Sequence, residues 1–92
     1  MSRFHLEIRV TPRPGVLDPE GKAIHQALRS LGYEAATEVR VGKAIYLEME
    51  SPSAEEALAS AEEMCRKLLA NPVTEDYSIG MVESGVAGMG GE

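Results

Sequence analysis

Ala35-Ala36-Thr37-Glu38-Val39-Arg40-Val41-Gly42-Lys43-Ala44-Ile45-Tyr46-Leu47-Glu48-Met49-Glu50 is the stretch on which the fold turns. Val39 and Val41 face one way, and beyond Gly42-Lys43 the residues Ile45, Leu47 and Met49 repeat the alternation. A period of two marks a strand with one buried and one wet face. Gly42 can supply the positive φ of a tight turn, so the stretch reads as a hairpin centred there. One long strand with a bulge at Gly42 is the competing reading.

Upstream of this stretch lies a helix. Asp18 is placed to accept from the free amides of a first turn, Pro19 suits the first helical position, and Glu20 favours the positive end of the dipole. Ile24, Ala27, Leu28 and Leu31 form an apolar stripe at helical spacing, and Gly32 is placed to close the helix in the left-handed conformation. Before the helix, Phe4, Leu6, Ile8 and Val10 alternate with His5, Glu7 and Arg9, which predicts a first strand. Thr11-Pro12-Arg13-Pro14-Gly15 ends it, because two prolines and a glycine cannot continue a ladder.

Downstream, Ser53-Ala54-Glu55-Glu56 is a capping box. The helix it opens carries Ala54, Ala57, Leu58, Ala61, Met64, Cys65 and Leu68 on one face and stops at Asn71-Pro72. Its alanines predict close approach to whatever it covers. Tyr77, Ile79 and Met81 alternate once more and give a last strand. The order is then β-α-β-β-α-β, an α+β ferredoxin-like sandwich: an antiparallel sheet with two helices on one face. In that topology the second and fourth strands are the sheet edges, and exposed edges offer a route to oligomerisation. Residues 1–83 form one domain. The tail 84–92 holds four glycines in nine residues, and the entropy lost on ordering them predicts a flexible segment.

Composition narrows the function classes. Ninety-two residues suffice for one domain of modest stability on its own, so association is a natural supplement. Fifteen acidic against nine basic residues, a net charge of −6, leave no basic footprint for nucleic acid and no polybasic cluster for a membrane surface. No apolar run approaches the ~20 residues of a bilayer span. The N-terminus lacks the apolar core of a signal peptide, and Cys65 is the single cysteine, so the expected compartment is the cytoplasm.

The candidate chemistry is sparse. His25, one step off the apolar stripe, and His5, on the wet face of the first strand, read as ordinary histidines with no orienting acid. Cys65, in the middle of an apolar helix face, reads as a buried small hydrophobe rather than a nucleophile. Glu55-Glu56 and Glu62-Glu63 are adjacent on a helix and diverge by about 100°, so they cap and solvate. Arg13-Pro14-Gly15-Val16-Leu17 puts an arginine near a helix N-terminus, but Asp18 already occupies that terminus and would repel an anion. Arg40-Val41-Gly42-Lys43 puts two basic groups beside a turn in an acidic protein: a solvated turn or a docking point. A catalytic centre and bound cofactors or metals are not expected.

Three ordered stretches resemble the PurS family, over about residues 4 to 83. They are Val16-Leu17-Asp18-Pro19-Glu20-Gly21 running into Ile24-His25-Gln26-Ala27-Leu28; Val39-Arg40-Val41-Gly42-Lys43; and Met64-Cys65-Arg66-Lys67-Leu68-Leu69-Ala70-Asn71 followed by Val73-Thr74-Glu75-Asp76-Tyr77. The glycine-rich end departs from the family pattern. The resemblance implies a small non-catalytic subunit of phosphoribosylformylglycinamidine (FGAM) synthase in purine biosynthesis. That enzyme turns formylglycinamide ribonucleotide, glutamine and ATP into FGAM, glutamate, ADP and phosphate. The implied partners are a PurL-type synthetase, which uses ATP and magnesium, a PurQ-type glutaminase, and further copies in a homodimer or homotetramer. The implied role is to bridge the two enzymes so that ammonia passes between them. On this view Arg13 and the segment from Arg40 to Tyr46, with Gly42 and Lys43 within it, are the expected contacts to the synthetase.

Two other readings share the strand-helix plan. Arg13-Pro14-Gly15-Val16-Leu17 also resembles the turn by which ACT-like domains grip an amino acid, although Pro12 stands where an acidic residue is common. An acylphosphatase-like enzyme would need an asparagine to position water, and the sole asparagine, Asn71, reads as a helix stop.

Overall fold

The computed structural model describes residues 1–82, so the expected tail at 84–92 lies outside the described residues. In chain order the elements are β1 (Ser2–Pro12), α1 (Pro19–Ser30), β2 (Lys43–Ser51), α2 (Ala54–Met64), a π-helical turn (Cys65–Leu69) and β3 (Glu75–Val82). The sheet has three strands in the order β2-β1-β3, with both pairs antiparallel.

Alternation in β1 works as the sequence implies. Leu6, Ile8 and Val10 are fully buried on one face of the central strand. Leu6 lies between Leu47 and Met81, and Ile8 between Ile45 and Ile79, so three rows of apolar side chains share that face. The opposite face is polar, with Arg3 bridging Glu48 (3.2 Å) and Glu50 (3.4 Å) of β2. α2 covers the apolar face. Ser53 Oγ accepts from the Glu56 amide at 3.2 Å and starts the helix, while Ala57, Ala61 and Cys65 bury at intervals of four. Small side chains let the helix backbone sit low on the sheet.

Two expectations need correcting. First, the hairpin does not form: residues 36–42 belong to no strand, β2 begins only at Lys43, and the outer strands are β2 and β3. The cause lies in where the backbone hydrogen bonds go. The Val41 amide donates to Asp18 Oδ2 (2.9 Å), and the Ala36 carbonyl accepts from His25 Nε2 (2.8 Å). Groups that a ladder would need are taken by side chains at the start of α1 and along it. Gly42 is used for proximity rather than for a turn, since a Cβ there would lie 2.5 Å from the Val10 carbonyl oxygen. Second, Leu68 is not on the buried face of α2; it is 81% exposed and Leu69 packs on the core instead. The π-helical turn, closed by the Ala70 amide on the Cys65 carbonyl at 3.1 Å, widens the spiral and shifts which leucine points inward.

α1 forms where its caps place it. Asp18 Oδ1 accepts from the Gly21 amide (3.1 Å), and Pro19 is the first helical residue. At the far end Gly32 (φ +98) lets its amide reach the Arg29 carbonyl and the Tyr33 amide reach the Leu28 carbonyl, a Schellman closure. The helix nonetheless makes no more than marginal contact with the sheet. Of its stripe, Ile24 is 40% and Leu31 73% exposed, and Gly21 is the one buried residue of the helix.

Candidate functional site

Asp18 organises the ground beside the end of β1. Its carboxylate holds two backbone amides from opposite sides: Gly21, which starts α1, and Val41, which leads into β2. The Val41 hydrogen bond, the Gly21 hydrogen bond and nearby Arg40 hold its pKa below the ordinary 3.8. Gly21 has to be a glycine, because a Cβ would meet Asp18 Oδ2 and lie 2.6 Å from the Val39 carbonyl. His25, half-buried one turn further on, donates from Nε2 to Ala36 and braces the returning chain. α1 and residues 36–42 therefore run side by side as one tethered arm.

Between the arm and the β1–α1 loop lies an open cleft of about 390 Å³. Arg13, Lys22, His25 and Arg40 line it, together with Asp18 and Glu38. Arg13 is held toward β3 by an ion pair to Asp76 (3.2 Å), and its amide donates to Thr74. Lys22 and Arg40 have no ion-pair partner among the described residues. Three cations, Arg13, Lys22 and Arg40, therefore line the cleft against two carboxylates in a protein of net charge −6.

Of the expected contact residues, the cleft brings Arg13 and Arg40 together. Gly42 and Lys43 sit alongside, where Lys43 pairs with Val10 at the mouth of the β1–β2 ladder. Tyr46 is separate: it is 75% exposed and lies opposite Glu7 on the polar face of the sheet. Lys22 and His25 are cleft residues that sequence reasoning did not assign to a site. The signal was available in helical spacing, since positions 18, 22 and 25 share one side of a helix. Cys65 is buried, and burial first, with Glu62 second, raises its thiol pKa. Glu62 and Glu63, read as solvating charges, form i,i+4 ion pairs with Arg66 (3.5 Å) and Lys67 (3.0 Å).

A family model described as PurS, phosphoribosylformylglycinamidine (FGAM) synthase, matches residues 5–83. The chain belongs to the PurS family. The subunit PurS of FGAM synthase from Synechocystis is 46% identical over 74 residues, covering 80% of this chain and 74% of that one. The PurS subunit of Methanocaldococcus jannaschii is 48% identical over 67 residues, 73% of this chain and 81% of that one. Among solved structures, a chain of PurLQS from Thermotoga maritima superposes with a TM-score of 0.82 at 35% identity. That superposition covers 89% of this chain and all of the other. The M. jannaschii PurS crystal structure, described as one subunit of formylglycinamide ribonucleotide amidotransferase in the purine biosynthetic pathway, gives a TM-score of 0.75 at 38% identity. It covers 87% of this chain and 96% of that one. PurS relatives are thus matched across most of their length, and the α+β sheet-and-helix plan is the plan of the family.

Proposed function

We propose that this chain is the non-catalytic small subunit of FGAM synthase and that it holds a glutaminase and an ATP-consuming synthetase in register. The observation that carries this is the likeness to the PurLQS chain, which covers the whole of that chain at a TM-score of 0.82. Its polar groups are consistent with a structural role. Asp18 and His25 are engaged with backbone, and Cys65 is buried with its thiol pushed up. The cytoplasm is the compartment in which such an assembly works. No helix among the described residues is long and apolar enough to cross a membrane.

The chain itself holds no cofactor on this reading; ATP and magnesium belong to the synthetase. Ammonia released by a glutaminase is mostly protonated in neutral water, and ammonium is a poor nucleophile. A passage that excludes water between two fixed sites preserves the reactive form, and a subunit that fixes those sites raises the effective concentration of one enzyme at the other. Arg13 and Arg40 in the cleft, with Gly42 and Lys43 beside it, are the surface assigned to the synthetase; Tyr46, on the polar face of the sheet, lies apart from it. Copies of the chain associate as a homodimer or homotetramer.

Reconstitution tests the proposal. Glutaminase and synthetase are mixed with and without this chain, and FGAM formation is followed with glutamine or with an ammonium salt as nitrogen source. Glutamine-driven turnover is expected to require the chain, and ammonium-driven turnover to require it less. Equal glutamine-driven rates without it would remove the scaffold role.

A further inference from the structure

We infer that Lys22 and Arg40 together take a carboxylate of the synthetase subunit, and that Asp18 is the positioning residue that holds these two cations at one spacing. This names the chemistry of the synthetase contact proposed above and rests on it. Both cations line the cleft and are exposed, and neither has an ion-pair partner among the described residues. Glu38, on the same cleft, pairs with neither. Asp18 commits both its oxygens to backbone, Oδ1 to the Gly21 amide at 3.1 Å and Oδ2 to the Val41 amide at 2.9 Å. Those amides belong to the residues next to Lys22 and next to Arg40. One carboxylate thus ties the backbone beside one cation to the backbone beside the other.

The chain under Arg40 is braced on both sides. A Cβ on Gly21 would lie 2.6 Å from the Val39 carbonyl oxygen, and one on Gly42 would lie 2.5 Å from that of Val10, so residues 39 and 42 sit close against α1 and β1. Ala36, further back, is held by His25 at 2.8 Å. The side chains of Lys22 and Arg40, in contrast, make no hydrogen bond among the described residues. Backbone order that precedes binding does not have to be supplied by the contact itself. The heads decide the ligand. A guanidinium offers a planar fork and an ammonium a point charge, and both donate to carboxylate oxygens. Three lining cations against two lining carboxylates leave one positive charge, which matches a carboxylate better than a phosphate dianion.

The test titrates the full chain into the synthetase at low ionic strength, with the glutaminase present. Lys22→Ala and Arg40→Ala are each expected to raise Kd about fivefold or more, and the pair to raise it by less than the product, as for two groups that share one acceptor. Asp18→Asn and Asp18→Ser both keep an oxygen for the Gly21 amide. Each is expected to raise Kd about threefold or more, yet to raise it no further when Arg40 is already alanine. A wild-type Kd in Arg40→Ala overturns the synthetase contact itself, and one in Lys22→Ala overturns the shared carboxylate. If Arg40→Ala weakens binding while both Asp18 variants bind normally, the positioning role is overturned. Multiplying effects of Asp18→Asn and Arg40→Ala, the mark of a general loosening, overturn it too. Carbodiimide coupling of the assembled wild-type complex needs no variant: it joins an amine to a carboxylate with loss of water, and Lys22 is expected to be linked to the synthetase. Absence of that link overturns the assignment of Lys22.

Discussion

Asp18 does two jobs through its two oxygens, and the two can be separated. Oδ1 caps α1 and Oδ2 tethers Val41. Asp18→Asn keeps an acceptor for the Gly21 amide but turns a donor toward Val41, so it is expected to lose the tether alone; Asp18→Ala loses both and is the less stable variant. The folded pKa is lowered, chiefly by the Val41 amide. The carboxylate's contribution is therefore present above the unfolded value and lost as pH falls through the folded one. Urea midpoints measured from about pH 5 down to about pH 2 should fall more steeply for the wild type than for Asp18→Asn. A parallel decline would show that the tether adds nothing. The cap itself was legible, because Asp-Pro-Glu is a local signal. The tether was not, since nothing within a helix turn reveals that the same carboxylate reaches 23 residues ahead.

At the scale of elements, local chemistry predicted what local chemistry controls. β1, both helix starts, the Gly32 closure and β3 follow from alternation and capping, whose signals lie within a few residues of each other. The hairpin failed for a different reason. Val39 and Val41 alternate, but alternation reports which side chains turn inward and not which groups receive the backbone hydrogen bonds. Here α1 supplies them through Asp18 and His25. Leu68 failed because no residue in Cys65–Leu69 announces a π-helical turn. The alanines of α2, by contrast, gave a reading that can be tested directly. Ala57 and Ala61 have no exposed surface against the sheet. Ala61→Leu adds volume where there is none and is expected to cost about 1–3 kcal/mol, whereas Ile8→Ala, which empties the same layer from the sheet side, should cost about 2–5 kcal/mol. Denaturant midpoints at constant m-value would measure both; a neutral Ala61→Leu would mean that α2 is free to lift.

The whole molecule is acidic, yet its cleft gathers Arg13, Lys22 and Arg40 around two carboxylates, and those cations give the candidate synthetase contact a testable form. Half of that site could be read in sequence: Arg13 and Arg40 lie 27 positions apart and are brought together because the Asp18 tether folds the arm back. Lys22 and His25 complete the cleft only through that fold. Because Arg40 is exposed and Arg13 is only partly committed to Asp76, exchanging their charges should disturb little inside the chain; exposed ion pairs contribute about 0.2–1 kcal/mol. The effect should instead appear in encounter with an acidic partner surface. Arg13→Glu with Arg40→Glu is expected to slow association with the synthetase by about tenfold or more at low ionic strength, and by less as salt screens the field. The conservative pair Arg13→Lys with Arg40→Lys should restore most of the rate. Stopped-flow association at two salt concentrations distinguishes this from misfolding, which would lower binding equally in both. If the charge-reversed chain associates at the wild-type rate in dilute buffer, the synthetase docks elsewhere, and the polar face that carries Tyr46 becomes the surface to examine next.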